Sequence, residues 1–370
     1  MAVPQPANTL QGDLLKRVLA HEVQETPWLD RSASKSLLNC NGFPFPWKGR
    51  WQYSDFRALV EDALSLEGAH NALQSSHDVD VRRFDQPETE AQTMEFGSSD
   101  GVGDFPLIDI NGVLFRSGTK LSSIAKTGSV KVNDANGSVD RHLMSIEQDA
   151  GMTVEETFKT GNRVVLCHVR DNAKLEYELT MPHGEGIGYH CLVVWLAKGS
   201  TFELHLASKG AQVRRNDVIV NVLGENATAT LSGGWFVDGS DHLDSQVYMN
   251  HRVGGSHSEQ SFHGVVDDRA RSVFSGFIHI DRNASATEAH LTNRNIALST
   301  QARAHAQPEL EIYTDDVICS HGATTGHLDD DSLFLLRSRG IGEESARAML
   351  TKGFLRQVVH SEGGTSLLNL

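Results

Sequence analysis

Between residues 105 and 315 apolar side chains return at every second position, the period of a strand with one buried face. Leu175, Tyr177 and Leu179 alternate with Glu176 and Glu178, and Phe202, Leu204 and Leu206 with Glu203 and His205. Val218, Val220 and Val222 follow the same rule, and the run from Val273 to Ile280 follows it more loosely. Turn-forming groups separate these runs: Asp171-Asn172, Lys198-Gly199-Ser200, Gly224-Glu225-Asn226 and Asp281-Arg282-Asn283. Amphipathic helical spacing is nearly absent here, which argues against alternating strand–helix units and leaves a sandwich, a barrel or a β-helix. Val, Ala, Ser, Thr and Asn are plentiful and aromatics make up only 7%, a composition that suits narrow stacked rungs better than a wide aromatic core.

Both ends of the chain change period. Leu14, Leu15, Val18 and Leu19 recur at helical spacing, with Asp13 near the start. Residues 39–46, with Asn41-Gly42, Pro44 and Pro46, read as a loop. The aromatic group Trp47, Trp51 and Tyr53, with Lys48 and Arg50, reads as a plug for the helices, with a base-stacking platform as the alternative. Ser54 or Asp55 is placed to cap a helix carrying Phe56, Leu59, Val60, Ala63 and Leu64. Residues 75–103 are polar and acidic and read as a linker. After residue 327, Asp329, Asp330 and Asp331 favour a helix start ahead of Leu333, Phe334 and Leu336, and Gly340 a stop. A second helix follows Gly342, with Ala346, Met349, Leu350 and Phe354 on one face. This helical pair reads either as a cap over the open end of the β-region or as a docking surface for a partner. Residues 361–370 read as a loose tail. The implied division is a helical region and linker over 1–100, a β-core over 101–326 and a helical docking region over 327–370.

The 370 residues are 39% hydrophobic and 22% charged, and the net charge is −15. That balance fits a globular protein and excludes a broad nucleic-acid or anionic-membrane surface. Cys40, Cys167, Cys191 and Cys319 are scattered, with no paired spacing, which speaks against a disulfide framework and for a reducing compartment. With no apolar run of spanning length and no basic-then-apolar leader, a bacterial cytoplasm is the expected location. No phosphate-binding loop and no nucleophile elbow is present.

The most chemical stretch is Leu310-Glu311-Ile312-Tyr313-Thr314-Asp315-Asp316-Val317-Ile318-Cys319-Ser320-His321, ending in Gly322 and Gly326, which suggest turns. In an extended chain Cys319 and His321 share a face, and thiol plus imidazole suit iron, zinc or an iron–sulfur cluster. Two ligands do not complete a site, which implies a second chain. This stretch, together with Leu333-Phe334-Leu335-Leu336-Arg337-Ser338-Arg339-Gly340-Ile341, Gly264 to Phe277 and Thr292-Asn293-Arg294-Asn295, resembles the SufB/SufD family of iron–sulfur cluster assembly scaffolds, on its SufD side. The resemblance implies a right-handed parallel β-helix flanked by helical segments and no catalysis by the chain itself. It also implies pairing with a SufB-like subunit, or with a second copy, and docking of a SufC-like ATPase through Leu333, Phe334, Arg337, Arg339, Met349 and Phe354. A transient cluster shared with the partner would rest on His321, with Cys319 in support. The family is also linked to a reduced flavin, for which no residue here is identified.

Other candidates carry weaker readings. His242, Asp244, His251, His257 and His263 match no metal-ligand spacing and read as polar residues at strand ends; His263 also departs from the lysine of the family pattern. In Cys167-His168 and His190-Cys191 one member of each pair should face in and the other out. Alternative functions are a β-helix carbohydrate-active enzyme using Asp315 and Asp316, or a metal-free homodimeric scaffold.

Overall fold

The computed structural model describes residues 7–21, 35, 38, 55–66, 73–83, 106–115, 117–133 and 137–370. The described strands, in chain order, are β1 Leu73–Ser75, β2 Val79–Arg83, β3 Ser117–Ser123, β4 Gly128–Val132, β5 Ser138–Ile146, β6 Gly151–Thr157, β7 Gly161–Val169, β8 Lys174–Met181, β9 Gly184–Leu196, β10 Thr201–Lys209, β11 Ala211–Val222, β12 Thr228–Val237, β13 His242–His251, β14 His257–Val266, β15 Arg271–Ile280, β16 Thr287–Ala297, β17 Arg303–Ile312 and β18 Val317–Gly326. The even-numbered strands β4 to β18 form one nine-stranded sheet with β1 at its edge, and the odd-numbered strands β3 to β17 form a second with β2 at its edge. Strands two apart in sequence lie parallel and adjacent, so Gly161 sits beside Gly188 and Arg271 beside Arg303. The chain thus winds as a parallel β-solenoid of about eight turns, the β-helix that the period-two pattern left open and the resemblance implied.

Alternation decides what fills the lumen. Phe202, Leu204 and Leu206 of β10 face inward, with Leu175, Tyr177 and Leu179 of β8 and Leu231 of β12 stacked beside them. Turns are tightened by residues with positive φ, such as Asn172, Gly199 and Asn226; Asn and Gly tolerate that region best. Buried Arg214 reaches across the turns, and its guanidinium donates to the carbonyls of Lys159, Met181, Pro182 and Lys209.

One layer of the lumen is ionic. Arg163 donates to Asp140 at 3.2 Å and to Glu156 at 2.8 Å. Glu156 also accepts from Tyr177 and contacts His190 Nε2 at 3.1 Å, and His190 Nδ1 meets Asn216 at 3.1 Å. His142 lies in the same layer, 2.8 Å from the Thr119 hydroxyl. Burial would raise the Glu156 carboxyl, but His190, Arg163 and Tyr177 outweigh it and hold it well below the usual carboxylate range. Burial, reinforced by Arg163, pushes His142 down to about 4, and burial does the same to His251 between Ser256 and Ser258. A histidine whose folded pKa is lowered contributes stability above its unfolded pKa, and that contribution is lost as pH falls from there through the folded value. For these two the window runs from 6.5 down to about 4, with Glu156 adding a further loss below the ordinary carboxylate range. Denaturant titrations across that window should show stability falling by up to about 1.4 kcal/mol per pH unit for each histidine. His142→Gln should flatten the slope; an unchanged slope would remove His142 from the account.

Described helices lie on the outside. The first three are α1 Ala7–Leu19, α2 Phe56–Ser65 and α3 Pro106–Leu114. Their apolar faces (Leu14, Val18, Phe56, Leu59, Leu107, Val113) cover Val139, Val164, Tyr189, Cys191 and Ile219 on the outer face of the odd-numbered sheet. Asp55 caps α2 by accepting from the Ala58 N–H at 3.0 Å. Two expectations are corrected here. The region read as strand opens with a helix, α3, whose period is hidden because its described side chains, Asn111 included, are all buried. The 75–103 linker begins with β2, whose pairing with β3 supplies the order that its polar sequence lacks. The 39–46 loop and the aromatic group from Trp47 to Tyr53 lie outside the described residues.

The C-terminal helices are α4 Asp330–Ser338, α5 Glu343–Leu355 and α6 Glu362–Leu367. Asp329 caps α4, and Gly340, at φ +84°, ends it with Ile341 N–H bonded to the Leu336 carbonyl. These helices do not cap the open end. Leu355, Val358, Val359 and Leu368 pack on Ala207 and Val265, on the outer face of the even-numbered sheet. Residues 361–370 are likewise no loose tail. Gly363 and Gly364 let α6 approach β8 and β10 closely, and Gly364 N–H donates to Glu178 at 3.1 Å.

Candidate functional site

The two ends of the solenoid differ. At one, short antiparallel strands finish the sheets, β1 on β4 and β2 on β3. At the other, β17 and β18 are outermost and each is paired along one edge. Their unpaired backbone groups face outward, the arrangement that accepts another strand. Ile312, Tyr313 and Ile318 are 39%, 52% and 66% exposed on this rung.

Cys319 and His321 lie on β18. Val317 and Cys319 turn toward the lumen and pack on its core. His321 continues that side, in register with the lumen residue Leu291 as Cys319 is with Ala289. The expected shared face is therefore present. Cys319 is half-buried, whereas His321 is exposed because no rung follows to cover it. Burial pushes the Cys319 thiol up, only partly offset by a backbone hydrogen bond with Ala289. Burial thus disfavours the thiolate form that binds metal. Gly322 and Gly326 lie inside β18 and are not turns; no atom lies within contact distance of a Cβ built on either.

Other candidates disperse. Asp315 and Asp316 sit exposed in the turn between β17 and β18, not as a facing pair across a cleft. Asp244 pairs with Arg215 at 3.1 Å on the odd sheet's outer face, while His251 is held by two serines. His257, Glu288, His290 and Ser320 form an exposed row on the even sheet, with Glu288 3.5 Å from His257 and 3.1 Å from His290. Among the described residues no group of three or more His, Cys, Asp or Glu side chains is disposed to hold a metal. Cys167 faces the lumen and His168 faces out, stacked on Trp195 at 4.6 Å. His190 faces in and Cys191 out, beneath the helices. The ionic layer around Glu156 went unread, since its members are far apart in sequence and each looks like an ordinary strand residue.

Beside the open rung stands the α4–α5 hairpin. Phe334 is 73% exposed, and Leu335 and Met349 are about half exposed. Arg337 and Arg339 are exposed too, with Arg337 3.4 Å from Glu343. Leu333 is buried within the hairpin, and Phe354 turns to the solenoid, where its ring stacks on His263 at 4.4 Å. Sequence periodicity could not separate these inward residues from the outward ones. An apolar patch of this kind, rimmed by charge, marks an interaction surface.

The sequence model of the family described as SUF system FeS cluster assembly, SufBD core domain, matches residues 129–354. The chain belongs to the SufB/SufD family. The match takes in β18 and the α4–α5 hairpin. Among relatives, the iron–sulfur cluster assembly protein SufD of Escherichia coli is 31% identical over 250 residues, 64% of this chain and 59% of that protein. SufD of Bacillus subtilis is 42% identical over 98 residues, 26% of this chain and 22% of that one. A SufBD-family protein of Synechocystis is 29% identical over 238 residues, 59% and 52% respectively. The chain spans roughly half to three fifths of the length of these longer-matching relatives. Within that family the chain is SufD-like. No described helix is long and apolar enough to cross a membrane.

Proposed function

We propose that the chain is a non-catalytic scaffold subunit that pairs through the open rung with a SufB-like subunit and docks a SufC-like ATPase on its helical hairpin. A nascent iron–sulfur cluster, as cargo, would be held between the two scaffolds by His321, supported by Cys319, with the remaining ligands from the partner. The observation that carries this reading is the placement of both candidate ligands on the lumen side of the end rung formed by β17 and β18, whose long outer edges are unpaired among the described strands. Partial ligation suits cargo that must leave again, since a full set of protein ligands makes a stable structural site. The exposed Phe334, Leu335 and Met349 support the docking half of the reading. A second copy of the chain is the other partner that these edges fit. Among the described residues no set is assigned to a flavin.

The test is His321→Ala in the reconstituted complex. Circular dichroism and partner binding should stay unchanged, because the side chain is exposed, while cluster formation read from its visible absorbance should drop severalfold. Cluster formation at the wild-type rate would sink the ligand role. Cys319→Ser should have a smaller effect.

A further inference from the structure

One stripe of α5 looks onto the outer face of the even-numbered sheet: Glu344, Arg347, Ala348, Thr351, Lys352 and Leu355, spaced three and four apart. Only its last member is seated. Leu355 packs on Ala207 and Val265, and Gly234 makes room, since a Cβ there would lie 3.3 Å from Leu355 and 2.6 Å from Val359. Nearer the start of the helix the stripe turns small, at Ala348 and Thr351, and a cleft of about 750 Å³ stands between helix and sheet. That volume lies in the range of small-molecule sites. Its floor is apolar: Phe236 and Leu298 face out of the sheet and are half-buried. Ordinary helix–sheet contacts interdigitate and leave few voids, so this one is open by the choice of small residues over a bare floor.

Two observations say what the cleft takes. Thr351 is 7% exposed, yet its hydroxyl has no hydrogen-bond partner among the described residues. A helical threonine can return that group to the carbonyl four residues back, and a buried polar group left unpaired is costly. The second observation is charge. Lys209 lines the cleft beside Phe236, its register neighbour on β12, and Lys352 lines it from the helix. Among the described residues neither ammonium has a carboxylate partner, whereas Arg347 is tied to Glu343 at 3.3 Å. The acids of the cleft are engaged or peripheral. Glu344 sits in the first turn of α5, at the positive end of the helix. Asp267 accepts from the Asp268 N–H at 2.8 Å, and Asp238 is exposed in the turn after β12.

We propose that the cleft between α5 and the even-numbered sheet binds a small amphipathic anion free in solution, a carboxylate on an aliphatic body. Lys209 and Lys352 hold the head by charge, and the Thr351 hydroxyl donates to it. The body lies on Phe236, Leu298 and Leu355. Phe236 on β12 and Leu298 at the end of β16 are two strand positions apart, roughly 10 Å at ordinary strand spacing, which suits a chain of medium length. The site stands apart from the scaffold reading: failure of an ATPase or a SufB-like subunit to bind would count against that reading and leave the cleft untouched.

Decanoate, kept below its micelle concentration, is titrated calorimetrically into the full-length chain, with decyltrimethylammonium as the charge-reversed control. Decanoate should bind at a single site and the cation far more weakly. Lys209→Glu should weaken decanoate by about tenfold or more, the loss expected for a contact with a charged group. Thr351→Val, which removes the hydroxyl at constant shape, should weaken it severalfold. Ala348→Trp, which fills the cleft, should abolish binding while circular dichroism is retained. Phe334→Asp with Met349→Asp should leave binding intact, because that patch lies on the hairpin's exposed side. No saturable binding of decanoate overturns the proposal, as does equal binding of the cation or wild-type affinity in folded Ala348→Trp protein. If Ala348→Trp does not fold, wild-type affinity in Lys209→Glu overturns it. Loss of binding in the Phe334 and Met349 variant would place decanoate on the exposed patch and overturn it too.

Discussion

Arg163→Met should lower the free energy of unfolding by about 3–5 kcal/mol, the range for leaving a buried partner charge uncompensated. Arg163 is 1% exposed, and it is the guanidinium that lies against both Asp140 and Glu156. Methionine fills similar volume but leaves two carboxylates inside a lumen otherwise lined by Val165, Leu192 and Tyr177. His190 and Tyr177 still hold Glu156, so the loss falls hardest on Asp140. Urea denaturation at neutral pH gives the number. The exposed pair Arg57–Glu61, at 2.8 Å, supplies the contrast: Arg57→Met should cost under about 1 kcal/mol, because surface ion pairs contribute little. Replacing Arg163, Asp140 and Glu156 together by Met, Asn and Gln should recover part of the loss, since no unpaired charge then remains. A cost for Arg163→Met as small as that for Arg57→Met would mean that water reaches the layer and screens it.

The second large effect concerns the hairpin. Phe334→Asp combined with Met349→Asp should weaken capture of a SufC-like ATPase on the order of a hundredfold or more, the scale of two interface anchors. Both side chains are exposed, so the fold should be nearly unaffected. Ile318→Asp, on the open rung, should leave this capture intact and weaken pairing with a SufB-like subunit instead. Surface plasmon resonance with each partner separates the two faces. Wild-type ATPase affinity in the double variant would move docking off the hairpin. Truncation at Asp329 is a poorer test, because it also strips α6 from β8 and β10 and bares Ala207 and Val265.

The period of two in residues such as Leu175, Tyr177 and Leu179 was enough to name strands, because each rung buries one face only. It was not enough to name a solenoid, since sandwiches and barrels share that period; the motif around Cys319 carried that step. Places where both faces are buried were the least readable. The described side chains of α3 are buried all round, so it shows no period, and His190-Cys191 hides an ion-pair partner and a buried thiol side by side. Distance along the chain concealed the rest. Glu156 meets His190 across 34 residues, and His263 meets Phe354 across 91. Of the residues expected to face a partner, Phe334, Met349, Arg337 and Arg339 are on the surface, while Leu333 is buried and Phe354 packs on the solenoid. Helical spacing alone assigns a residue to a face but does not say which face the partner takes.

The unequal ends of the solenoid limit stoichiometry. A strand stack with two receptive ends would add copies without stop and grow into a filament. Here one end terminates in a three-residue and a five-residue antiparallel strand, too short to template another chain well. Among the described strands only one end thus offers long unpaired edges, and joining two such ends would use up both. Association by the proposed route would close at two chains, and a mixed pair and a like pair would then compete for one and the same surface.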